Sequence, residues 1–281
     1  MRILALLALM PFSASWAADH ASLAMASKPF ITTPSAQVIQ HDETASSISK
    51  MEERNSSFKN LFIEANIVVS RSGKEDVSLT AQYAAAAGDY RFKINYGAYD
   101  VLDLSARGKE AILWLPRKDT FCKGDRGNMA DIPNELRFVG LAGDARGLIL
   151  PSCWANGADK RRLQKSGGKT FVNVLKGNVI IRRFTLASVD GELVVEKVVF
   201  FENEKPSSAI TYSGHLLTSG MYLPSRIDFY PSETVKLSMS IKKVQANTAK
   251  NPRLDPYIPE AKLSEAPLSL ANVLASGTLF E

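Results

Sequence analysis

The chain has 281 residues, 45% of them hydrophobic and 22% charged, with a formal net charge of +5. That balance is ordinary for a globular protein and excludes a collagen-like, low-complexity or disulfide-dense chain. Lys and Arg alternate with apolar residues and form no block interleaved with aromatics, which argues against a nucleic-acid partner.

Residues 1–17 read as a signal peptide. Arg2 gives the positive start, Ile3 to Phe12 the short apolar run, and Ser15-Trp16-Ala17 the small residues at the cleavage-reading positions. Cleavage is expected after Ala17, and the loss of Arg2 takes the net charge from +5 to +4. The apolar run is too short for a spanning helix, and no later stretch is long enough to make a transmembrane segment. No cysteine follows the signal to carry a lipid. An exported, periplasmic location is expected.

Residues 18–43 are small, polar and aperiodic, and read as a flexible lead-in. Asp42 to Phe58 has a helical pattern: Asp42 or Thr44 caps its start, and Ile48, Met51, Asn55 and Phe58 fall on one thin stripe. Strands follow in quick succession. They are expected at Leu61 to Arg71, Val77 to Ala86, Tyr90 to Tyr96, Val101 to Ala106 and Ala111 to Leu115, with a short one at Thr120 to Lys123. Turns at Ser72-Gly73-Lys74, Gly88-Asp89 and Gly108 make this an antiparallel meander.

Residues 124–168 interrupt the meander. Ile132 to Phe138 reads as a helical turn with Pro133 near its first position. Lys160-Arg161-Arg162 reads as a solvated basic loop, and contact with anionic lipid headgroups is the lesser alternative. The meander resumes with strands at Lys169 to Lys176, Val179 to Ala187, Leu193 to Glu202 and Ala209 to His215. It ends in the clearest pattern of the chain, Tyr222 to Asn247. There Leu223, Ile227 and Phe229 alternate with polar residues, a Pro-Ser-Glu turn follows, and Val235, Leu237, Met239 and Ile241 alternate with Lys and Ser. Residues 248–281 form a Pro-rich tail that cannot join a central strand.

The expected fold class is mainly β (α+β): a single curved, incompletely closed antiparallel β-barrel of about eleven strands, with one or two helices on its concave face. Few covers for so many strands leave part of the apolar concavity open as a groove. The alternative is a core that the insertion and tail fill completely. Tyr90, Phe92, Ile94, Trp114, Ile227, Phe229, Leu237 and Met239 are the expected lining.

Cys122 and Cys153 both lie in the exported part, so one disulfide is expected. It would close a loop of roughly thirty residues, worth about 3 to 4 kcal/mol in the chain-entropy model. The alternative is two buried free thiols. Neither a metal site nor a cofactor site is expected from the Cys and His spacing. No nucleophile elbow or phosphate-cradling glycine loop occurs, so no catalytic residue is assigned. His215, at a strand end, is the one residue around which a hydrolase reading is built. Asp103, Asp131 and Asp228 alternate with apolar residues and read as solvent-face positions.

The order of these parts resembles the LolA/LolB-like superfamily of periplasmic lipoprotein carriers and lipoprotein-sorting proteins. The residues that carry the resemblance are the helix ending at Phe58, Arg91 within Gly88-Asp89-Tyr90-Arg91-Phe92, the strand from Gly108 through Trp114-Leu115-Pro116, and the hairpin opening Tyr222-Leu223-Pro224-Ser225-Arg226-Ile227. The resemblance covers about residues 44–247. It implies an unclosed β-barrel with helices across its mouth and a non-enzymatic role in holding acyl chains. In the carrier an arginine inside the hollow holds the helical lid. Arg91 stands at the matching motif position, but alternation places it opposite Phe92 and Ile94. The implied partners are a lipid acyl chain or a lipidated protein, with a protein of the envelope as a further one. The competing readings are an envelope scaffold whose tail docks on another protein, and the hydrolase.

Overall fold

The computed structural model describes residues 41–125, 149–151, 153, 160–249, 252–256, 258 and 267–269. The expected signal peptide, most of the lead-in, Asp131, the helical turn at 132–138 and most of the tail lie outside the described residues.

Helix α1 spans His41–Ser56. Its buried residues are Ile48, Met51, Glu52 and Asn55, which recur at helical spacing on one stripe. Only two of those four are apolar, so tertiary contacts must hold this helix in place. At its end the Ser57 amide and hydroxyl both donate to the Arg54 carbonyl, at 3.2 and 2.7 Å.

Fourteen strands form one sheet. The first meander is β1 (Asn60–Arg71), β2 (Lys74–Ala86), β3 (Asp89–Tyr96), β4 (Tyr99–Arg107), β5 (Glu110–Leu115) and β6 (Thr120–Asp125). The second is β7 (Lys160–Ser166), β8 (Lys169–Lys176), β9 (Val179–Val189), β10 (Glu192–Glu202), β11 (Lys205–Thr218), β12 (Met221–Ser232) and β13 (Val235–Ala246). β14 (Leu268–Ser269) lies parallel to β6, and all other pairings are antiparallel. The strand order is β14-β6-β5-β4-β3-β2-β1-β13-β12-β11-β10-β9-β8-β7. The first strand of one meander thus pairs with the last strand of the other. The sheet ends in two edges and does not close, as expected. Two strands go beyond the expected set: β7, which includes the supposed basic loop, and β14, which adds part of the tail to an edge.

Side-chain alternation and register together define an inner face. Across the first arm, Ile63, Tyr83, Phe92, Leu104, Leu113 and Cys122 stand directly opposite one another in turn. Across the second, Ile67, Met239, Ile227 and Tyr212 do the same. All belong to one continuous buried cluster, which α1 joins through Ile48 and Met51, and the segment 149–153 through Ile149, Leu150 and Cys153. Among the described residues, one helix and residues 149–151 and 153 lie with the sheet in this cluster.

The sheet forks between β10 and β11. Their pairing ends at Lys197–Thr211, whereas β11 stays paired with β12 as far as Thr218–Met221. Gly214 lies in the unpaired part of β11 at φ +62°, and a Cβ there would run into Ser225 Oγ. Only glycine meets both demands. The carboxyl end of α1 sits in this fork.

Candidate functional site: a capped apolar inner face

Seven of the eight expected lining residues share the inner face. Tyr90, Phe92 and Ile94 come from β3, Ile227 and Phe229 from β12, and Leu237 and Met239 from β13; none is more than 7% exposed. Trp114 is the exception. It stands opposite Asp103 on one side and Phe121 on the other, whereas its neighbour Leu113 pairs with inner-face Leu104. Trp114 is buried, but on the outer face. These seven side chains are buried, so the groove expected to be partly open is not open along them.

Polar groups, as well as the buried Ile48 and Met51, fasten the cap. Arg54 reaches from α1 into the fork, where Nη2 donates to the Leu193 carbonyl at 2.8 Å and Nη1 to Glu192 Oε2 at 3.0 Å. Its guanidinium lies over the Tyr222 ring, 5.0 Å from the centroid. The Leu193 carbonyl lies where β10 no longer pairs with β11, so Arg54 takes the place of a missing strand partner. Its Nε is buried without a hydrogen bond. Two residues earlier, the buried Glu52 carboxylate accepts a hydrogen bond from the Cys153 amide. A small cleft remains at the fork, lined by Arg54, Asn55, Ile149, Val195, His215 and Pro224. Its volume is about 10 Å³, enough for one water and far too small for a hydrocarbon chain.

Cys122 and Cys153 are free thiols, which overturns the expected disulfide. Cys122 sits on β6 opposite Leu113, in the first arm. Cys153 lies under α1 among groups of the second arm: Arg161 of β7, Arg182 of β9 and Tyr212 of β11 all interact electrostatically with it or it with them. Both thiols are fully buried. Burial pushes the Cys122 thiol up to about 11. Burial, and then Glu52, push Cys153 well above its ordinary value. Burial raises the Tyr212 hydroxyl as well, and Cys153 adds to the effect.

Two further expectations change. Asp103 is not a solvent-face residue. It is 1% exposed and forms a two-point ion pair with Arg91, whose Nε and Nη2 donate at 2.8 and 2.5 Å. The pair lies on the outer face, so Arg91 does not hold the cap; Arg54, on the helix itself, does. Asp228 is partly buried and bonded to Arg226 and Lys236. Burial works to raise its carboxyl, but hydrogen bonds from Ser238, Arg226 and Lys236 leave it lowered overall.

His215 lies in the fork, hydrogen-bonded to the Val195 backbone and near Glu196. Burial lowers its pKa and outweighs both neighbours. Among the described residues, no group of three or more His, Cys, Asp or Glu side chains is placed to hold a metal, and no helix is long and apolar enough to cross a membrane. Sequence reasoning missed Arg54 and Glu52. Their one visible signal was helical spacing: Glu52 shares the buried stripe with Ile48 and Asn55.

No family model matches the chain, and no curated protein does. Among solved structures it is similar to a LolA superfamily protein from Nitrosomonas europaea, with 10% identity, 79% of this chain and 97% of that one covered, and a TM-score of 0.48. It is also similar to a DUF1329 family protein from Desulfovibrio piger, with 10% identity, 75% and 94% covered, and a TM-score of 0.48. A third is the Mycobacterium tuberculosis lipoprotein LppX, with 11% identity, 76% and 100% covered, and a TM-score of 0.33. The likeness is distant and one of fold only.

Proposed function

We propose that this protein is an exported, non-enzymatic carrier that takes the hydrocarbon chain of a lipid or lipidated protein onto its inner face, with α1 as a movable cap. One observation supports this above the others: among the described residues, the one helix that joins the wide apolar face of this unclosed sheet adds only two buried apolar side chains to it. Lifting Ile48 and Met51 off the face costs about 3 to 6 kcal/mol in apolar burial. A ligand chain gains about 0.8 kcal/mol for each methylene it hides from water. Some four to eight methylenes therefore offset the exposure of those two side chains, and an ordinary acyl chain has more. A carrier must also release its load, and a cap held by two apolar side chains and a few polar contacts suits exchange better than a large apolar seal.

The scaffold reading needs a tail available to a partner. The described parts of the tail rest on the protein's own sheet instead: Thr248 bonds Asn60, Asp255 pairs with Arg107 at 2.6 Å, and Leu268 pairs with Cys122. The hydrolase reading needs a base aimed at a nucleophile, and His215 faces the Val195 backbone.

The test is organic extraction of the purified protein followed by titration with a fluorescent fatty acid. Co-purifying lipid, or saturable uptake by the stripped protein, supports the carrier. A lipid-free preparation that takes up no probe overturns it.

A further inference from the structure

The inner face is not apolar throughout. On the second arm, Arg161 stands directly opposite Val174, and Val174 stands opposite Arg182. Directly paired residues in an antiparallel sheet share a face, and Val174 is fully buried in the inner cluster. Both arginines therefore project to the inner side, flanking one valine. Their backbones are two strand spacings apart, about 10 Å, within which two long side chains can converge on one anion. Arg161 is exposed and Arg182 half-buried. The pair thus marks the rim, where water gives way to the apolar interior.

A second feature brings a carboxylate to this end of the face. The Glu52 carboxylate of the cap is buried against the Cys153 amide. Glu52, Arg161 and Arg182 are all close enough to the Cys153 thiol to bias its ionisation, the acid raising it and the two arginines lowering it. In the capped form, one carboxylate from α1 and two guanidiniums from the sheet occupy the same neighbourhood. Moving α1 takes the Glu52 carboxylate away from this end of the face. The next residue along, Arg183, differs. It points outward, donates to Asn173 Oδ1 at 2.8 Å and lies over the Phe201 ring.

We infer that Arg161 and Arg182 form the head-group end of the ligand site, and that the ligand is an amphiphile with an anionic head, a carboxylate or a phosphate, on a hydrocarbon chain. The head sits at the rim where Glu52 lies in the capped form. The chain runs inward past Val172 and Phe184 toward Tyr212 and Ile227. Guanidinium is suited to this task, because its planar fork matches carboxylate and phosphate oxygens two at a time. This inference rests on the carrier reading, and the experiment separates the two.

Full-length protein stripped of lipid is titrated calorimetrically with dodecanoate, dodecyl phosphate and dodecanol, which share one chain and differ in head. Acetate and inorganic phosphate are titrated as heads without a chain. Wild type is expected to prefer the two anionic amphiphiles over dodecanol by about tenfold or more. The free anions are expected not to bind measurably. In an Arg161→Gln/Arg182→Gln variant that preference disappears, while dodecanol affinity stays. An Arg161→Lys/Arg182→Lys variant recovers part of the preference through charge alone. A Lys160→Gln/Arg162→Gln control, on the opposite face of β7, retains all of it. Equal wild-type binding of all three amphiphiles, or a preference that survives the double Gln change, overturns the head-group assignment and leaves the carrier reading intact. Binding of acetate or phosphate as tight as that of the amphiphiles makes this an anion site and overturns the assignment. Failure of all three amphiphiles to bind overturns both readings.

Discussion

Arg54→Ala removes the main polar fastening of the cap, and its effect is worked from the hydrogen bond and the ion pair the guanidinium makes in the fork. The hydrogen bond to the Leu193 carbonyl is charge-assisted and partly buried, and such bonds contribute about 1.5 to 3 kcal/mol. The ion pair with Glu192 adds little, because Glu192 is 50% exposed and exposed pairs contribute about 0 to 1 kcal/mol. Together they give roughly 2 to 3 kcal/mol, since both interactions share one side chain and do not add fully. If α1 opens as a unit, its open population rises by about 30- to 150-fold, at tenfold for each 1.4 kcal/mol. Stopped-flow uptake of a fluorescent fatty acid measures this directly, because a ligand that enters through a minor open state binds at a rate proportional to that state. The expected result is uptake accelerated by at least tenfold, with faster hydrogen exchange in α1 and an unchanged exchange pattern in β1 to β5. Arg54→Lys keeps a charge but loses the forked geometry, and should fall between the two. An Arg54→Ala protein that is folded and takes up the probe at the wild-type rate would refute the cap mechanism.

Other consequences are checked more simply. Neither cysteine should react with a thiol reagent in the native protein at pH 8, where a thiol at about 11 is only about one part in a thousand thiolate; both should react in denaturant without reductant, and a disulfide-linked peptide would contradict the structure. His215 binds its proton more weakly when folded than when unfolded, so its share of stability is complete above its ordinary pKa and is lost as pH falls through that value toward the folded one. Thermal melts should therefore show a loss as pH falls below about 6.5, and His215→Gln should flatten that part of the profile. Asp103→Ala strands a mostly buried guanidinium and should cost about 3 kcal/mol or more in denaturant unfolding. Ligand affinity should be unchanged, because the ion pair lies on the outer face.

Particular residues show how far the sequence could be read. Alternation in Tyr90 to Ile94, in Ile227 to Phe229 and in Val235 to Met239 is strict, and there the expected face and the observed face agree. In β5 the run Ala111-Ile112-Leu113-Trp114-Leu115 is apolar at every position. Period two cannot choose a face in such a run; the register with β4 does so by placing Trp114 opposite Asp103. β7 escapes a reading by pattern because Leu163 is its only apolar residue, so its identity as a strand comes from pairing with β8. The cysteine count is even and the compartment fits, but neither observation measures distance in space. The fork is invisible in sequence because it depends on where one ladder stops, and Arg54, Glu52, Arg161 and Arg182 gain their positions only from that tertiary arrangement. What the chain could not announce was how a mostly polar helix would be held against a greasy sheet.

The most direct test is photolabelling. A fatty acid carrying a diazirine near its terminal methyl is bound, irradiated and mapped by peptide mass spectrometry. Adducts are expected on peptides containing Phe92, Ile94, Ile227, Phe229, Leu237 or Met239, and on the buried stripe of α1. Adducts confined to the outer-face residues around Trp114 and Phe121, with the inner face unmarked, would contradict a ligand held beneath the cap.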